Sequence, residues 1–111
     1  MKLTSEPDSI DTGILFVHAT WSGPSVMALR LLTEFVSTLP DPPDFFVADI
    51  DALSDEDRRR LGAFKGWGLL HGAGETFWIV DRTHRDAFHE YAAKDAMAQL
   101  ARIHRTVFPI R

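Results

Sequence analysis

Apolar and polar positions follow two different periods along this chain, and the period changes several times. Short apolar runs predict β-strands at 13–20, 45–51, 75–81 and 85–93. The first run is apolar at nearly every position, which is typical of a strand buried on both faces. A tight connection at 82–84 links the last two runs and predicts an antiparallel hairpin.

Between these runs, apolar residues recur at the spacing of amphipathic helices. The first predicted helix begins at Ser22 or Gly23, with Pro24 in its first turn, where a missing N–H costs little. A short second helix follows Ser54, and a closing helix covers 94–106. The apolar face consists of Val26, Leu29, Leu32, Phe35 and Val36 in the first helix, and of Met97, Leu100, Ala101 and His104 in the last.

The order of elements predicts an α/β fold. A strand–helix–strand start requires a parallel, right-handed crossover, and the hairpin adds antiparallel strands, so we expect a mixed β-sheet with helices on both faces. Residues 1–12 are polar, contain Pro7 and predict an N-terminal arm. The remainder, 13–111, is long enough for one hydrophobic core and predicts a single domain.

Composition narrows the functions open to the chain. Its net charge of -4 argues against nucleic acid as a partner, because phosphate binding requires a basic surface. No apolar run approaches the roughly 20 residues that span a membrane, and the N-terminus lacks the apolar core of a signal peptide. We therefore expect a cytoplasmic protein with no membrane partner. The chain contains no cysteine, which excludes a disulfide, a thiolate and a cysteine-bound metal.

The junction between the first strand and the first helix reads "WSGPS". With the order of strands around it, this junction resembles the thioredoxin family, whose signature there is Trp-Cys-Gly-Pro-Cys. Tryptophan, glycine and proline are kept as Trp21, Gly23 and Pro24, and serines stand at the two cysteine positions as Ser22 and Ser25. The resemblance implies a thioredoxin-like fold.

The similarity extends over roughly 14–106. It includes Met27 in the first helix, the "VADID" strand and the "GAGETFWIV" segment, which fits the strand preceded by the family's cis-proline loop. Only a short stretch precedes the first core strand. The resemblance therefore implies that the family's leading strand and helix are reduced here.

Several departures from the family pattern concern its redox chemistry. Phe16 occupies the place of the family's buried acid, Val47 that of an accompanying lysine, Arg30 that of a helix-kinking proline, and Gly74, after Ala73, that of the cis-proline. We expect a trans peptide there, because a cis bond without proline costs roughly 2.5–4 kcal/mol. Disulfide exchange needs a thiolate, so the chain is not a competent oxidoreductase. These changes favour a natural loss of redox function, while cysteine-to-serine substitution of an oxidoreductase remains an alternative.

The resemblance also implies where a partner binds, because redox relatives bind extended polypeptide around this signature and the prolyl loop. We therefore expect a non-catalytic protein-interaction module, of the inhibitor, immunity or adaptor kind, without a cofactor. Its partner is another protein or an extended peptide, and a homodimer that buries Trp21 is an alternative. The candidate binding residues are Trp21, Ser22, Gly23, Pro24, Ser25, Trp67, His71, Ala73 and Gly74.

A nucleophilic Ser22 and a metal site formed by histidines are two alternatives to a simple binding surface. A nucleophilic Ser22 requires a base, which predicts His18 or His71 in hydrogen-bond reach of its hydroxyl. The simpler role for Ser22 is to cap the helix. No pair of histidines has the i, i+4 spacing of a helical zinc site, and we expect His84 and His89 to be solvated at the hairpin. The sequence therefore predicts no catalytic residue and no metal site.

Overall fold

The computed structural model describes residues 1–109, so the last two residues of the predicted domain, 110 and 111, lie outside the described residues. Within 1–109, the strands are β1 Lys2–Leu3, β2 Gly13–His18, β3 Phe45–Asp49, β4 Thr76–Val80 and β5 Thr83–Phe88. The α-helices of the same range are α1 Gly23–Ser37, α2 Asp55–Phe64 and α3 Ala96–Val107. Two short 3-10 turns, Pro7–Ser9 and Ile50–Ala52, complete the regular structure.

The strands form one sheet in the order β1-β3-β2-β4-β5. Strand β2 pairs parallel with β3 and antiparallel with β4, so Phe16 lies between Val47 on one side and Thr76 on the other. Strands β4 and β5 pair antiparallel as a hairpin. The prediction of a mixed sheet is confirmed.

The hairpin differs in detail from the sequence-based expectation. The connection predicted at 82–84 is wrong, because the turn consists of Asp81 and Arg82, with φ of 51° and 65°, and β5 already begins at Thr83. A two-residue turn with both φ positive matches the twist of paired strands, but neither residue is the glycine that usually marks it. The predicted strand 85–93 is also too long, since β5 ends at Phe88.

Helices cover both faces of the sheet, as predicted. Helices α1 and α3 pack against the face that carries Phe16 and Trp78, which are fully buried, and α2 packs against the face that carries Leu15 and Phe77. Trp78 therefore belongs to the hydrophobic core. Strand β2 is apolar and buried on both faces because it lies between these two layers.

Helix α1 faces the sheet with a slightly different stripe from the predicted one. Its buried residues include Ser25 and Ala28, whereas Val26, which was expected on the apolar face, is exposed. The small side chain of Ala28 lets the helix approach Gly74 closely, since an added Cβ on Gly74 would meet the Ala28 Cβ. With Ser25 and Ala28 facing inward, Val26 faces solvent. The prediction for Val26 is therefore wrong.

Helix α3 buries Ala96 and Leu100 against the sheet. Met97 was expected on this apolar face but is exposed, so that prediction is wrong as well. His104 is half-buried, and the Trp78 indole N–H donates to its Nδ1 at 3.4 Å. Burial lowers the pKa of His104, because its cationic form would lose solvation.

The segment 1–12 lies on the sheet rather than apart from it. Lys2 and Leu3 form the parallel edge strand β1 beside Phe46 and Val47, and Ile10 is buried. The leading strand is thus only two residues long. None of the helices within residues 1–109 has the length and apolar character needed to cross a bilayer.

Candidate binding site at the start of helix α1

The candidate site begins where the chain leaves β2 and enters α1. Ser22 adopts an extended conformation at the N-cap, and its hydroxyl accepts from the Ser25 N–H at 3.4 Å, as expected for a cap. The same hydroxyl donates to the Gly72 carbonyl at 2.7 Å. Ser22 therefore both caps the helix and joins it to the glycine-rich loop that precedes β4.

Ser25 is fully buried and makes two hydrogen bonds of its own. Its hydroxyl accepts from the Ala19 N–H at 2.9 Å and lies 2.8 Å from His18 Nδ1. The direct contact predicted between Ser22 and a histidine is not formed, because His18 pairs with Ser25 and the His71 Nδ1 lies 2.9 Å from the Leu69 carbonyl. A serine without exposed surface is out of reach of a substrate, so this pair holds the strand end against the helix.

Trp21 lies at the mouth of the site, and its side chain is 64% exposed. Its indole N–H donates to Asp51 Oδ2 at 3.2 Å. Asp51 is itself fixed in the turn after β3, where its N–H donates to Asp49 Oδ1 at 2.9 Å. One edge of the indole is therefore anchored while much of the ring remains available for contact.

The loop at 65–75 approaches α1 so closely that glycine is required at two positions. Gly72 and Gly74 have φ of +79° and +80°, a conformation that favours glycine. A Cβ on Gly72 would lie 3.1 Å from the Trp21 ring, and one on Gly74 would lie 2.4 Å from the Ala28 Cβ. The Ala73–Gly74 peptide is trans, as expected.

The space beneath this loop is apolar. Phe16 is fully buried, and its ring would lie 3.1 Å from a Cβ on Gly74. Tyr91 packs edge-on against Phe16, and its hydroxyl lies 2.6 Å from Thr76 Oγ1. Burial raises the pKa of Tyr91 far above its usual range. Phe16, which stands where the thioredoxin family has a buried acid, thus packs in the core and cannot transfer a proton.

Comparison with known proteins gives a clear result for the fold. No family model matches the sequence, and no curated protein matches it. The thioredoxin Mala s 13 of Malassezia sympodialis is similar in structure, with a TM-score of 0.62 at 17% identity over 89% of this chain and 89% of that chain. The thioredoxin of Plasmodium falciparum gives a TM-score of 0.58 at 17% identity over 94% of this chain and 98% of that one.

The chain has a thioredoxin-like fold. At this level of identity the likeness concerns the fold alone, and it confirms the fold class that the sequence predicted. Within that fold, "WSGPS" lies at the junction of β2 and α1 and the glycine-rich loop lies across from it.

The thioredoxin-like fold assembles part of the predicted binding set on one surface. Trp21, Gly23 and Pro24 are exposed, and Ala73 is half-buried beside the two glycines of the loop. The other predicted residues have different surroundings. Ser22, Ser25 and Gly74 are buried, His71 is exposed, and Trp67 is half-buried.

Sequence reasoning missed an exposed apolar residue near this junction. Met27 follows Pro24 by three positions on α1 and is exposed. Residues three apart lie on the same side of a helix, so Pro24 and Met27 share one face with the helix start. The three-residue spacing of Pro24 and Met27 could have indicated this face. The sequence analysis instead considered Val26, the residue before Met27, as part of the apolar face.

The thioredoxin-like fold also gathers polar residues that sequence reasoning left apart. His71, Glu75 and His89 each offer a ligand atom within 4.8 Å of the others, although they come from the loop, the residue before β4 and the residue after β5. The expectation that His84 and His89 are solvated is wrong. Each is half-buried, and His84 Nε2 and His89 Nδ1 are buried without a partner among residues 1–109.

His84 owes its environment to the hairpin. It packs between Phe64 and Phe77, with ring centroids 5.7 and 5.8 Å away. Burial lowers the pKa of His84, and the nearby Arg60 cation lowers it further. His84 is therefore a side chain packed between aromatic rings, and it lies outside the group formed by His71, Glu75 and His89.

Proposed function

We propose that this chain is a non-catalytic protein-interaction module that binds an extended segment of another protein. The proposed contact area, called here the Trp21 surface, consists of Trp21, Pro24 and Met27 with the loop residue Ala73. The observation that carries the proposal is the 64% exposure of Trp21 beside the close-packed loop. Tryptophan is the side chain most enriched at binding hot spots, and this one is already anchored by Asp51.

The backbone of the loop supports an extended occupant. The N–H and the carbonyl of Ala73 have no backbone partner within 1–109, whereas the carbonyls on either side are engaged: Gly72 by the Ser22 hydroxyl and Gly74 by the Thr76 hydroxyl. Extended peptides bind by pairing their main chain with such free groups. Ala73 would provide main-chain pairing while Trp21 provides apolar contact.

The hydrogen bonds of the serines support a role without covalent chemistry. Both hydroxyls are buried and engaged, Ser22 with Gly72 and Ser25 with Ala19 and His18. A nucleophilic serine needs an accessible hydroxyl next to a base. With no cysteine in the chain, the surface retains binding and loses the exchange step.

The test is selection from a random peptide library displayed on phage, carried out on the wild type, Trp21→Ala and Leu3→Ala. Leu3 is the matched control, because it is another highly exposed apolar residue but lies on the edge strand β1. We expect Trp21→Ala to weaken selected peptides by at least about tenfold, as expected for a hot-spot residue, and Leu3→Ala to leave them unchanged. Peptides that bind all three folded variants equally would overturn the proposal.

Self-association is the competing occupant of the same surface. Light scattering after size-exclusion chromatography distinguishes it, because a symmetric dimer forms in a concentration-dependent way and would be lost in Trp21→Ala. Such a dimer would replace the proposed partner by a second copy.

The cytoplasmic location and the natural origin of Ser22 and Ser25 stay predictions. Codons 22 and 25 of the parent gene would decide whether the serines are natural.

A further inference from the structure

A buried carboxylate lies beside the Trp21 surface without full compensation. Glu75 has 0% exposure, and its Oε2 accepts from the His71 N–H at 2.9 Å. Its other oxygen, Oε1, is buried and has no hydrogen-bond partner among residues 1–109. A buried carboxylate that lacks a partner is strongly unfavourable, so such a group normally meets a cation or a donor.

Two histidines lie next to this carboxylate. His71 Nδ1 is 3.6 Å from Glu75 Oε2 and 2.9 Å from the Leu69 carbonyl. The His71 side chain is 58% exposed, so little packing opposes rotation of its ring. His89 is held on the other side by Trp67, whose ring stacks on it at 4.1 Å and 10°. The buried Nδ1 of His89 also lacks a partner in the described range. Two buried atoms without partners thus belong to side chains whose ligand atoms lie close to that of His71.

We infer that His71, Glu75 and His89 bind a divalent transition-metal ion of the zinc class. Two imidazoles and a carboxylate are a ligand set for Zn²⁺ and its neighbours, not for Mg²⁺ or Ca²⁺, which prefer oxygen ligands only. Tetrahedral ligands about 2.0–2.1 Å from zinc lie about 3.4 Å apart. The three ligand atoms already lie within 4.8 Å of one another. Rotation of the exposed His71 can bring its ligand atom closer to the other two, and small side-chain shifts of Glu75 and His89 would complete the geometry.

The set leaves one coordination position open. Three protein ligands with a fourth position for water or another donor is the arrangement of accessible zinc sites. His71 forms the solvent side of the cluster, so the fourth ligand enters from there. The inference goes beyond the proposed function and does not rest on it, because the ion needs none of the contacts of Trp21.

The test is metal titration of the full chain without a histidine tag, after removal of metal with a chelator. We expect calorimetry to give one Zn²⁺ per chain, Co²⁺ to develop visible absorption of a tetrahedral site, and Mg²⁺ to give no binding. Glu75→Gln and His71→Ala should each weaken Zn²⁺ binding at least tenfold. The control Glu90→Gln makes the same charge change at an exposed position next to His89 and should bind as the wild type does.

Absence of Zn²⁺ binding by the wild type would overturn the inference, and so would equal affinity in His71→Ala. The exposed His71 keeps the test decisive if Glu75→Gln fails to fold. Co²⁺ also quenches a nearby indole, and Trp67 stacks on His89. Quenching lost in Trp67→Phe would locate the ion at this cluster, whereas quenching that persists unchanged would place it elsewhere and overturn the assignment.

Discussion

The two sides of the candidate site treat their buried polar groups in opposite ways. On the helix side, Ser22 and Ser25 are buried and both hydroxyls are hydrogen-bonded. On the loop side, Glu75 Oε1 and His89 Nδ1 are buried without partners in the described chain. Satisfied polar groups stabilise a fold, and unsatisfied ones mark a place where something else is expected.

The two sides therefore differ in whether their buried polar groups are already hydrogen-bonded within the fold. A helix start of this kind can activate a thiolate, but here it is closed by Ser22 and covered by the loop. The loop side keeps ligand atoms that no residue of 1–109 uses. The two serines of the helix side therefore stabilise the fold, whereas the atoms of the loop side that lack a partner within 1–109 are available to a ligand.

The largest expected effect comes from Gly74, where the two sides meet. Gly74→Ala would place a Cβ 2.4 Å from the Ala28 Cβ at a φ of +80°, so we expect a loss of about 3 kcal/mol in the free energy of unfolding, measured by urea denaturation. Gly66→Ala is the control, because its φ is +73° but nothing lies within 4 Å of the added carbon. It should lose only about 1 kcal/mol. Equal losses would mean that the close approach is unimportant.

A smaller loss is expected on the helix side. Ser25→Ala removes the acceptor of the buried Ala19 N–H and the partner of His18, so unfolding free energy should fall by about 2 kcal/mol. Ser37→Ala is the control: its exposed hydroxyl bonds only the Glu34 carbonyl, and its loss should stay within about 0.5 kcal/mol. If Ser25→Ala were as harmless as the control, the helix side would not be stabilised by its serines.

The smallest effect, with the opposite sign, is expected on the loop side. In metal-free protein, Glu75→Gln removes a charge from a fully buried position and keeps an acceptor for the His71 N–H. Unfolding free energy should stay unchanged or rise by up to about 1 kcal/mol, as when buried charges are replaced by neutral groups. Chemical denaturation in the presence of a chelator measures it. A loss comparable to that of Ser25→Ala would show that the carboxylate stabilises the metal-free fold.

The fold could be predicted because its signals are local. Apolar runs, the cap at Ser22 and the helix start after Ser54 each depend on neighbours in sequence, and all have counterparts in the structure. The predicted boundaries of the hairpin were wrong because Asp81 and Arg82 adopt positive φ, and no glycine marks the turn in the sequence. The prediction that Val26 lies on the buried face of α1 was wrong. Which side of α1 faces inward depends on the close approach of Ala28 to Gly74 in the loop, which is a tertiary contact.

The site was less predictable because its geometry is tertiary. The cap at Ser22 followed from local rules, and the choice of Trp21 as a candidate binding residue followed from a resemblance. The meeting of His71, Glu75 and His89 depends instead on how the loop, β4 and the end of β5 converge. Glu75 begins the predicted apolar strand 75–81 and follows His71 by four residues. A carboxylate at the start of an apolar strand, close to a histidine, was the one sequence signal that could have indicated a metal site.

The hydrogen bond from Ser22 to Gly72 has a consequence for the kinetics of recognition. Because the loop is tethered to the helix before any partner arrives, the Trp21 surface is preorganised, and little conformational entropy is lost when it is occupied. Association with the proposed partner would then proceed as rigid-body docking. Partners of different affinity would reach this surface at similar rates and differ mainly in how long they remain.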